Sequence, residues 1–124
     1  MLNRLFGQVF AQPAQPENVH MIPADEVRIG MAADEIVLVD VREPNEVVAE
    51  SIPGSISRPL SSFNPAALPA VPEGKKLVLH CRSGQRCGMA AQKLVQSGYT
   101  GDIYRLEGGV MGWKMAGGPT RPGG

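Results

Sequence analysis

The sequence has no excess of charge of either sign and few of the residues that mark specialised classes of protein. Lysine plus arginine and aspartate plus glutamate each number 12, so the formal net charge is zero. The sequence therefore lacks the excess of positive charge that is typical of nucleic-acid-binding proteins. Two cysteines are too few for a disulfide framework. No apolar run approaches the roughly 18 residues that a membrane-spanning helix needs. We therefore expect no nucleic-acid partner and no membrane-embedded segment.

The few cysteines and histidines are also poorly spaced for a metal site. Cys81 and Cys87 lack the separation of a zinc knuckle, and neither His20 nor His80 completes a second pair of ligands. His80 lies inside an apolar run, which favours a hydrogen-bonded residue of a buried strand over a ligand. The sequence therefore implies no metal and no organic cofactor.

The composition is that of one globular domain. Of the 124 residues, 43% are hydrophobic and only six are aromatic, so we expect a mostly aliphatic core. Residues 1–18 are rich in glutamine, proline and alanine, which predicts a flexible lead-in. Their apolar part is interrupted and short for the core of a signal peptide. This favours a cytoplasmic protein, with a periplasmic location as the alternative.

Strand and helix patterns alternate along the rest of the chain. Aliphatic runs at 35–41 and 75–80 are typical of strands buried on both faces. Shorter strands are predicted at 19–22, before residue 60 and within 101–109, and helices at 24–33, 44–48, 87–97 and 110–117. The alternation predicts an α/β fold, a parallel sheet of about five short strands with helices on both faces.

The run at 75–80 leads through a polar, glycine-containing loop into a helix, which is a geometry suited to anions. Successive N–H groups of such a loop converge on one point, and the helix adds its positive end. Gly84 lets the backbone curl, and Arg82 and Arg86 supply local positive charge. Ligands bind at the carboxyl ends of parallel strands, which is where Cys81 lies. We therefore expect Cys81 to have a lowered pKa and to act as a thiolate nucleophile.

The alternative interpretation of Cys81 is an inert, buried small side chain at the end of a strand. Two flanking arginines and a loop whose amides cannot pair in a sheet argue against it. The candidate site therefore comprises Cys81 as the catalytic residue and the substrate-binding residues Arg82, Ser83, Gly84, Gln85, Arg86 and Cys87.

Three segments in the expected order resemble the rhodanese family. The loop "HCRSGQRC" is similar to the active-site loop of that family. The segment "VLVDVREPNEV" resembles its Asp-Val-Arg strand end and following glutamate, here Asp40, Val41, Arg42 and Glu46. The segment "RLEGGVMGWKMAGGP" resembles its closing motif, here Gly108, Gly109, Trp113, Gly117 and Pro119. The resemblance covers residues 19–119 as a single domain, which leaves 120–124 as a flexible tail.

Two positions depart from the family pattern. Ser51 precedes the Ile-Pro-Gly segment where the family commonly has histidine. Cys87 stands where serine, threonine or alanine is usual. Two hypotheses follow for Cys87: it replaces the usual residue at the start of the helix, which we favour, or it resolves a persulfide by forming a disulfide.

The resemblance implies a thiosulfate sulfurtransferase. Cys81 would attack a small anionic sulfane sulfur donor, such as thiosulfate, and carry the sulfur as a persulfide. It would then pass the sulfur to cyanide or a cellular thiol. Arg82 and Arg86 would bind or guide the donor, with a structural contact equally weighted for Arg86. The amides of residues 82–87 would stabilise the anionic sulfur. The oligomeric state is left open.

Two other functions are weighed against this one. Cysteine-dependent phosphatases and arsenate reductases place five residues between cysteine and arginine, whereas four separate Cys81 from Arg86 here. A non-catalytic binding module of the same fold usually lacks the nucleophile. Asp40 and Arg42 are interpreted as scaffold, with Arg42 expected to pair with an acid such as Glu46, and Trp113 is expected in the core.

Overall fold

The structure is a computed structural model that describes residues 16–123, and it contains a five-stranded sheet in which every pairing is parallel. The strands are β1 (Val19–Ile22), β2 (Ile36–Asp40), β3 (Ile56–Ser57), β4 (Lys76–His80) and β5 (Ile103–Leu106), in the spatial order β1-β5-β4-β2-β3. The helices are α1 (Ala24–Ala32), α2 (Pro44–Ala49), α3 (Gln85–Gln96) and α4 (Gly109–Met115). This confirms the predicted α/β architecture.

The core consists of two apolar clusters, one on each face of the sheet. Successive residues of a strand point to opposite faces, so Leu77 and Leu79 of β4 join one cluster and Val78 joins the other. Leu94 of α3 packs in the first cluster, and Trp113 of α4 packs in the second. Strands β2 and β4 are therefore buried on both faces of the sheet, which is why their sequences are continuous aliphatic runs.

Trp113 lies in the core, as predicted from the sequence. It is 3% exposed, and its indole Nε1 donates a hydrogen bond of 2.8 Å to the carbonyl of Pro119. No helix within the described residues has the length and apolar character needed to cross a membrane.

The two predicted flexible ends differ in what the structure describes. Most of the predicted lead-in, residues 1–15, lies outside the described residues. At the other end, Ser51 and Arg121 form a two-way backbone bridge, and Thr120 Oγ1 donates to Glu50. These contacts attach residues 120–123, for which the sequence predicts a tail, to the end of α2.

Helix α3 begins at Gln85, two residues before the predicted start. Gly84 has a left-handed backbone (φ 113°), so the chain turns within one residue from the loop into the helix. Gln85 and Arg86 therefore belong to the first helical turn. Between Cys81 and the start of α3, the loop therefore consists of only three residues, Arg82 to Gly84.

The start of α4 holds the backbone of this loop. The amides of Val110 and Met111 donate to the carbonyls of Cys81 and Arg82, at 2.9 and 3.2 Å. Such close approach requires Gly109, because a Cβ there would lie 2.5 Å from backbone atoms of Arg82 and Cys81. In a trans peptide the N–H points opposite to the C=O. Because the carbonyls of Cys81 and Arg82 point outward to α4, the amides that follow them point toward the inside of the loop.

We predict that Gly109→Ala lowers the free energy of unfolding by more than about 2 kcal/mol, because it combines backbone strain with a steric clash. Gly74→Ala is the matched control: Gly74 has a positive φ of 87°, but a Cβ added there would meet nothing within 4 Å. That variant should lose only about 1 kcal/mol. Urea unfolding measures both, and equal losses would contradict the role given to the close contact.

Candidate active site

The sequence-predicted site residues come together at the carboxyl edge of the sheet. Cys81 directly follows β4, which lies between β2 and β5. Cys81 and Cys87 are buried, at 1% and 0% exposure. The side chains of Arg82, Ser83 and Gln85 are exposed. These three exposed residues therefore form the solvent-facing part of the loop, whereas the two cysteines are covered.

The sulfur of Cys81 accepts several hydrogen bonds. The Gly84 amide donates to it at 3.1 Å. Hydrogen bonds from the Cys87 thiol, most strongly, and from the amides of Cys87, Gly84 and Ser83 lower the pKa of Cys81 from 9.0 to about 5, against the opposing effect of burial. At neutral pH Cys81 is therefore a thiolate, as expected from the sequence.

Cys87 has the opposite ionisation behaviour. Its pKa is raised, first by the hydrogen bond to Cys81 and then by burial. Its sulfur also lies 3.1 Å from the Gly84 carbonyl oxygen, which is a second acceptor for the same thiol proton. Cys87 thus remains a neutral donor, which supports the interpretation that it replaces a hydroxyl residue at the start of the helix. A resolving nucleophile would need the thiolate.

Arg86 makes a structural ion pair. Its guanidinium donates two hydrogen bonds to Glu46 of α2, at 2.6 and 2.8 Å. The bidentate pair holds the pKa of Glu46 down at about 2 and raises the pKa of Arg86. The sequence allows two roles for Arg86, binding of the donor and a structural contact. The structure shows the structural contact, because Glu46 binds the guanidinium group.

Arg42 pairs with an acid, as predicted, but the acid is Asp40 and not Glu46, the example named from the sequence. Arg42 is 3% exposed and turns back to Asp40, donating to its carboxylate at 2.7 Å, and it also donates to the Glu50 carbonyl at 2.7 Å. Asp40 is fully buried at the end of β2, so its charge requires a partner, and Arg42 is within reach two residues later. Asp40 and Arg42 are therefore scaffold residues, as predicted.

His80 is a buried residue of β4, as predicted, and contacts the same network. Its Nδ1 lies 3.3 Å from the Cys81 carbonyl oxygen. Its Nε2 lies 3.5 Å from Asp40 Oδ2 and has no hydrogen-bond partner among residues 16–123. Burial lowers the pKa of His80, so the ring is neutral at physiological pH.

Sequence reasoning missed Arg105. This residue of β5 donates from Nη2 to the Gly84 carbonyl oxygen at 2.8 Å. The only sequence signal for it is a charged residue between apolar neighbours of a short strand, together with Gly88 in the interior of α3. That signal cannot identify a contact across 21 residues.

A cavity of about 330 Å³ adjoins the loop. Its lining includes Arg82, Lys114 and two ion-paired carboxylates, Glu46 with Arg86 and Glu50 with Lys114. Arg82 therefore places a positive charge where the loop meets an open cleft. The hydrogen-bond donors around the Cys81 sulfur and the positive charge of Arg82 together suit a small anion that reacts with a thiolate.

Comparisons with known proteins show the family to which the chain belongs. A family model described as Rhodanese-like domain matches residues 23–116. A protein named sulfurtransferase from Allochromatium vinosum is 34% identical over 86 residues, which covers 69% of this chain and 78% of that protein. An uncharacterized protein of Synechocystis sp. is 52% identical over 87 residues. That match covers 70% of this chain, which spans only about half (48%) of the Synechocystis protein.

Among solved structures, a rhodanese-related protein from Thermoplasma volcanium is similar in fold and sequence. It superposes with a TM-score of 0.69 at 30% identity, and the match covers 82% of this chain and 97% of that one.

Replacement of Cys87 tests its role as a hydrogen-bond donor. We predict that Cys87→Ala raises the pKa of Cys81 by at least about one unit, whereas Cys87→Ser, which retains a donor, changes it by less. The pH dependence of iodoacetamide alkylation, followed by mass spectrometry of the Cys81 peptide, gives the pKa. Equal values in the two variants would exclude a donor role for position 87.

The Arg86–Glu46 pair predicts a pH-dependent contribution to stability. Because the folded-state pKa of Glu46, about 2, lies below its ordinary 4.5, the contribution is complete above pH 4.5 and is lost as the pH falls toward 2. We expect Glu46→Gln to lower the free energy of unfolding by about 1–2 kcal/mol at pH 7 and by less at pH 3.

The control for this variant is Asp34→Asn, which removes an ion pair whose aspartate side chain is 88% exposed. It should cost less than about 0.5 kcal/mol at either pH. Urea titrations at pH 7 and pH 3 measure both variants. A Glu46→Gln deficit that persists unchanged at pH 3 would show that the charge of Glu46 is not its cause.

Proposed function

Since the chain belongs to the rhodanese-like domain family, we propose that it is a sulfurtransferase that moves a sulfane sulfur from thiosulfate or a related donor to a thiophilic acceptor. The observation that carries the proposal is the Cys81 sulfur, which accepts hydrogen bonds from loop amides and has a pKa of about 5. A thiolate at neutral pH is the species that attacks a sulfane sulfur.

The first half-reaction loads the protein with sulfur. The Cys81 thiolate attacks the outer sulfur of thiosulfate, and the S–S bond of thiosulfate breaks. Sulfite leaves with the electron pair of that bond, and Cys81 becomes a persulfide whose terminal sulfur carries the negative charge. The loop amides and the positive end of α3 stabilise this anion as they stabilise the thiolate.

The second half-reaction returns the protein to its starting state. A nucleophilic acceptor, either cyanide or a thiolate, attacks the terminal sulfur. The Cys81 thiolate leaves, and the product is thiocyanate or the persulfide of the acceptor. The low pKa of Cys81 makes it a good leaving group in this step. In the cytoplasm, the compartment we propose, small thiols are the available acceptors.

The other site residues have different parts in this proposal. Arg82 is exposed at the mouth and attracts the anionic donor. Arg86 acts through Glu46, holding α2 against the start of α3. Ser83 and Gly84 act through their amides, Cys87 through its thiol, and Gln85 provides the first turn of the helix.

Features of the loop argue against the two alternative functions. The loop closes with four residues between Cys81 and Arg86, a smaller ring than phosphatase loops use, and Glu46 occupies the arginine that would bind a phosphoryl group. A non-catalytic module gains nothing from an ionised sulfur surrounded by donors.

We predict that the wild type transfers sulfur from thiosulfate to cyanide and that Cys81→Ala lacks this activity, with the rate falling at least about 10³-fold. Incubation with thiosulfate alone should increase the intact mass by one sulfur atom in the wild type but not in Cys81→Ala. Cys87→Ser serves as the control for loss of a cysteine and should keep both signals. An adduct on Cys87, or none at all, would refute the proposal.

A further inference from the structure

Arg105 contacts the active-site loop from below, although none of the motifs assigns it a role. It lies in β5, the neighbour of β4 in the sheet, at the position paired with Leu79. Two residues after Leu79 the chain reaches Cys81, and the guanidinium of Arg105 extends to the Gly84 carbonyl at 2.8 Å. The arginine thus connects a rigid strand to the loop residue whose amide faces the sulfur.

The Gly84 carbonyl oxygen has two donors. Arg105 Nη2 lies at 2.8 Å and the Cys87 sulfur at 3.1 Å. The thiol of Cys87 has only one proton, however, and it faces two acceptors, the Gly84 oxygen and the Cys81 sulfur. A donor that already hydrogen-bonds to the Gly84 oxygen therefore makes this oxygen a weaker acceptor for the Cys87 proton.

We propose that Arg105 is a positioning residue of this site: by donating to the Gly84 carbonyl, it directs the thiol proton of Cys87 to the sulfur of Cys81. A charged donor satisfies the oxygen better than a thiol does. The contact also orients the peptide between Gly84 and Gln85, from which α3 begins. The inference deepens the proposed function, on which it rests, by adding a residue that tunes the nucleophile.

The packing of α3 accommodates this arginine. A Cβ at Gly88 would lie 2.8 Å from Nη2 and 2.9 Å from Cζ of Arg105. Only glycine at position 88 therefore lets the guanidinium lie where it reaches Gly84. Because the clashing atoms are the end of a long side chain, Gly88→Ala displaces the guanidinium and leaves the helix intact.

Other charged and titratable groups surround Cys81 and must stay constant in the test. His80 precedes it in β4, Arg82 follows it in the loop, and Arg86 on α3 is held by Glu46 of α2. Asp40 of β2 lies behind His80. None of these is changed when Arg105 or Gly88 is replaced. A shift in the titration of Cys81 therefore reports the arginine, which acts through the Gly84 carbonyl and through its own hydrogen bond to the Cys87 sulfur.

The experiment measures the pH midpoint of alkylation at Cys81 in the full chain. Arg105→Met is made in the wild type and in Cys87→Ala, and Gly88→Ala is the second variant. In the presence of Cys87, we expect Arg105→Met to raise the midpoint by about one pH unit, which is a tenfold loss of thiolate well below the midpoint. In the Cys87→Ala background the shift should fall to less than half of that value, because no proton remains to be redirected.

Gly88→Ala should reproduce the upward shift without removing any charge, and circular dichroism verifies that each variant is folded. Equal shifts in both backgrounds would reduce Arg105 to a distant charge and overturn the inference, as would the absence of any shift. Alkylation involves no sulfur transfer. A failed thiosulfate assay beside a coupled titration would therefore refute the function and leave the positioning role standing.

Discussion

The arrangement of the loop follows from one constraint, which is that the buried sulfur of Cys81 carries a negative charge. An anion in such a place is stable only when donors surround it. Here the donors are the amides of the loop and one neighbouring thiol, all aimed at Cys81. Their aim requires that the loop carbonyls point outward, and α4 supports this arrangement by donating its first amides to them. Gly109 is needed because α4 has to come that close to the loop.

Charge in this protein acts through placement rather than through quantity. The chain is neutral overall, and the fork of Arg86, on the helix that follows the loop, is occupied by Glu46. In the proposed function, an anion is attracted by the backbone dipoles of the loop, by the positive end of α3 and by the charge of Arg82. The arginines differ in their contacts: Arg82 meets the solvent, Arg86 joins α3 to α2 through Glu46, and Arg42 pairs with Asp40 at the end of β2.

Buried polar groups link the site to both layers of the fold. Asp40, Arg42 and His80 form a network under the loop at the ends of β2 and β4. Arg105 reaches the loop from β5 on the other side. The three adjacent strands thus each contribute support to a loop of three residues. A nucleophile whose donors must remain in place benefits from support by rigid strands.

Some of this could be determined from the sequence alone. The aliphatic runs at β2 and β4 indicate burial on both faces of the sheet, because a strand covered on both faces has no solvent-facing positions that would take polar side chains. The cysteine, glycine and arginine spacing of the loop predicts Cys81 as the nucleophile, because the ring around the sulfur is built from consecutive residues. Pairings between distant side chains follow different physics. Arg42 pairs with Asp40, Glu46 with Arg86, and Arg105 with the Gly84 carbonyl, because strand order and helix docking decide which groups meet. Local patterns contain no information about those distances, so only the tertiary structure could decide them.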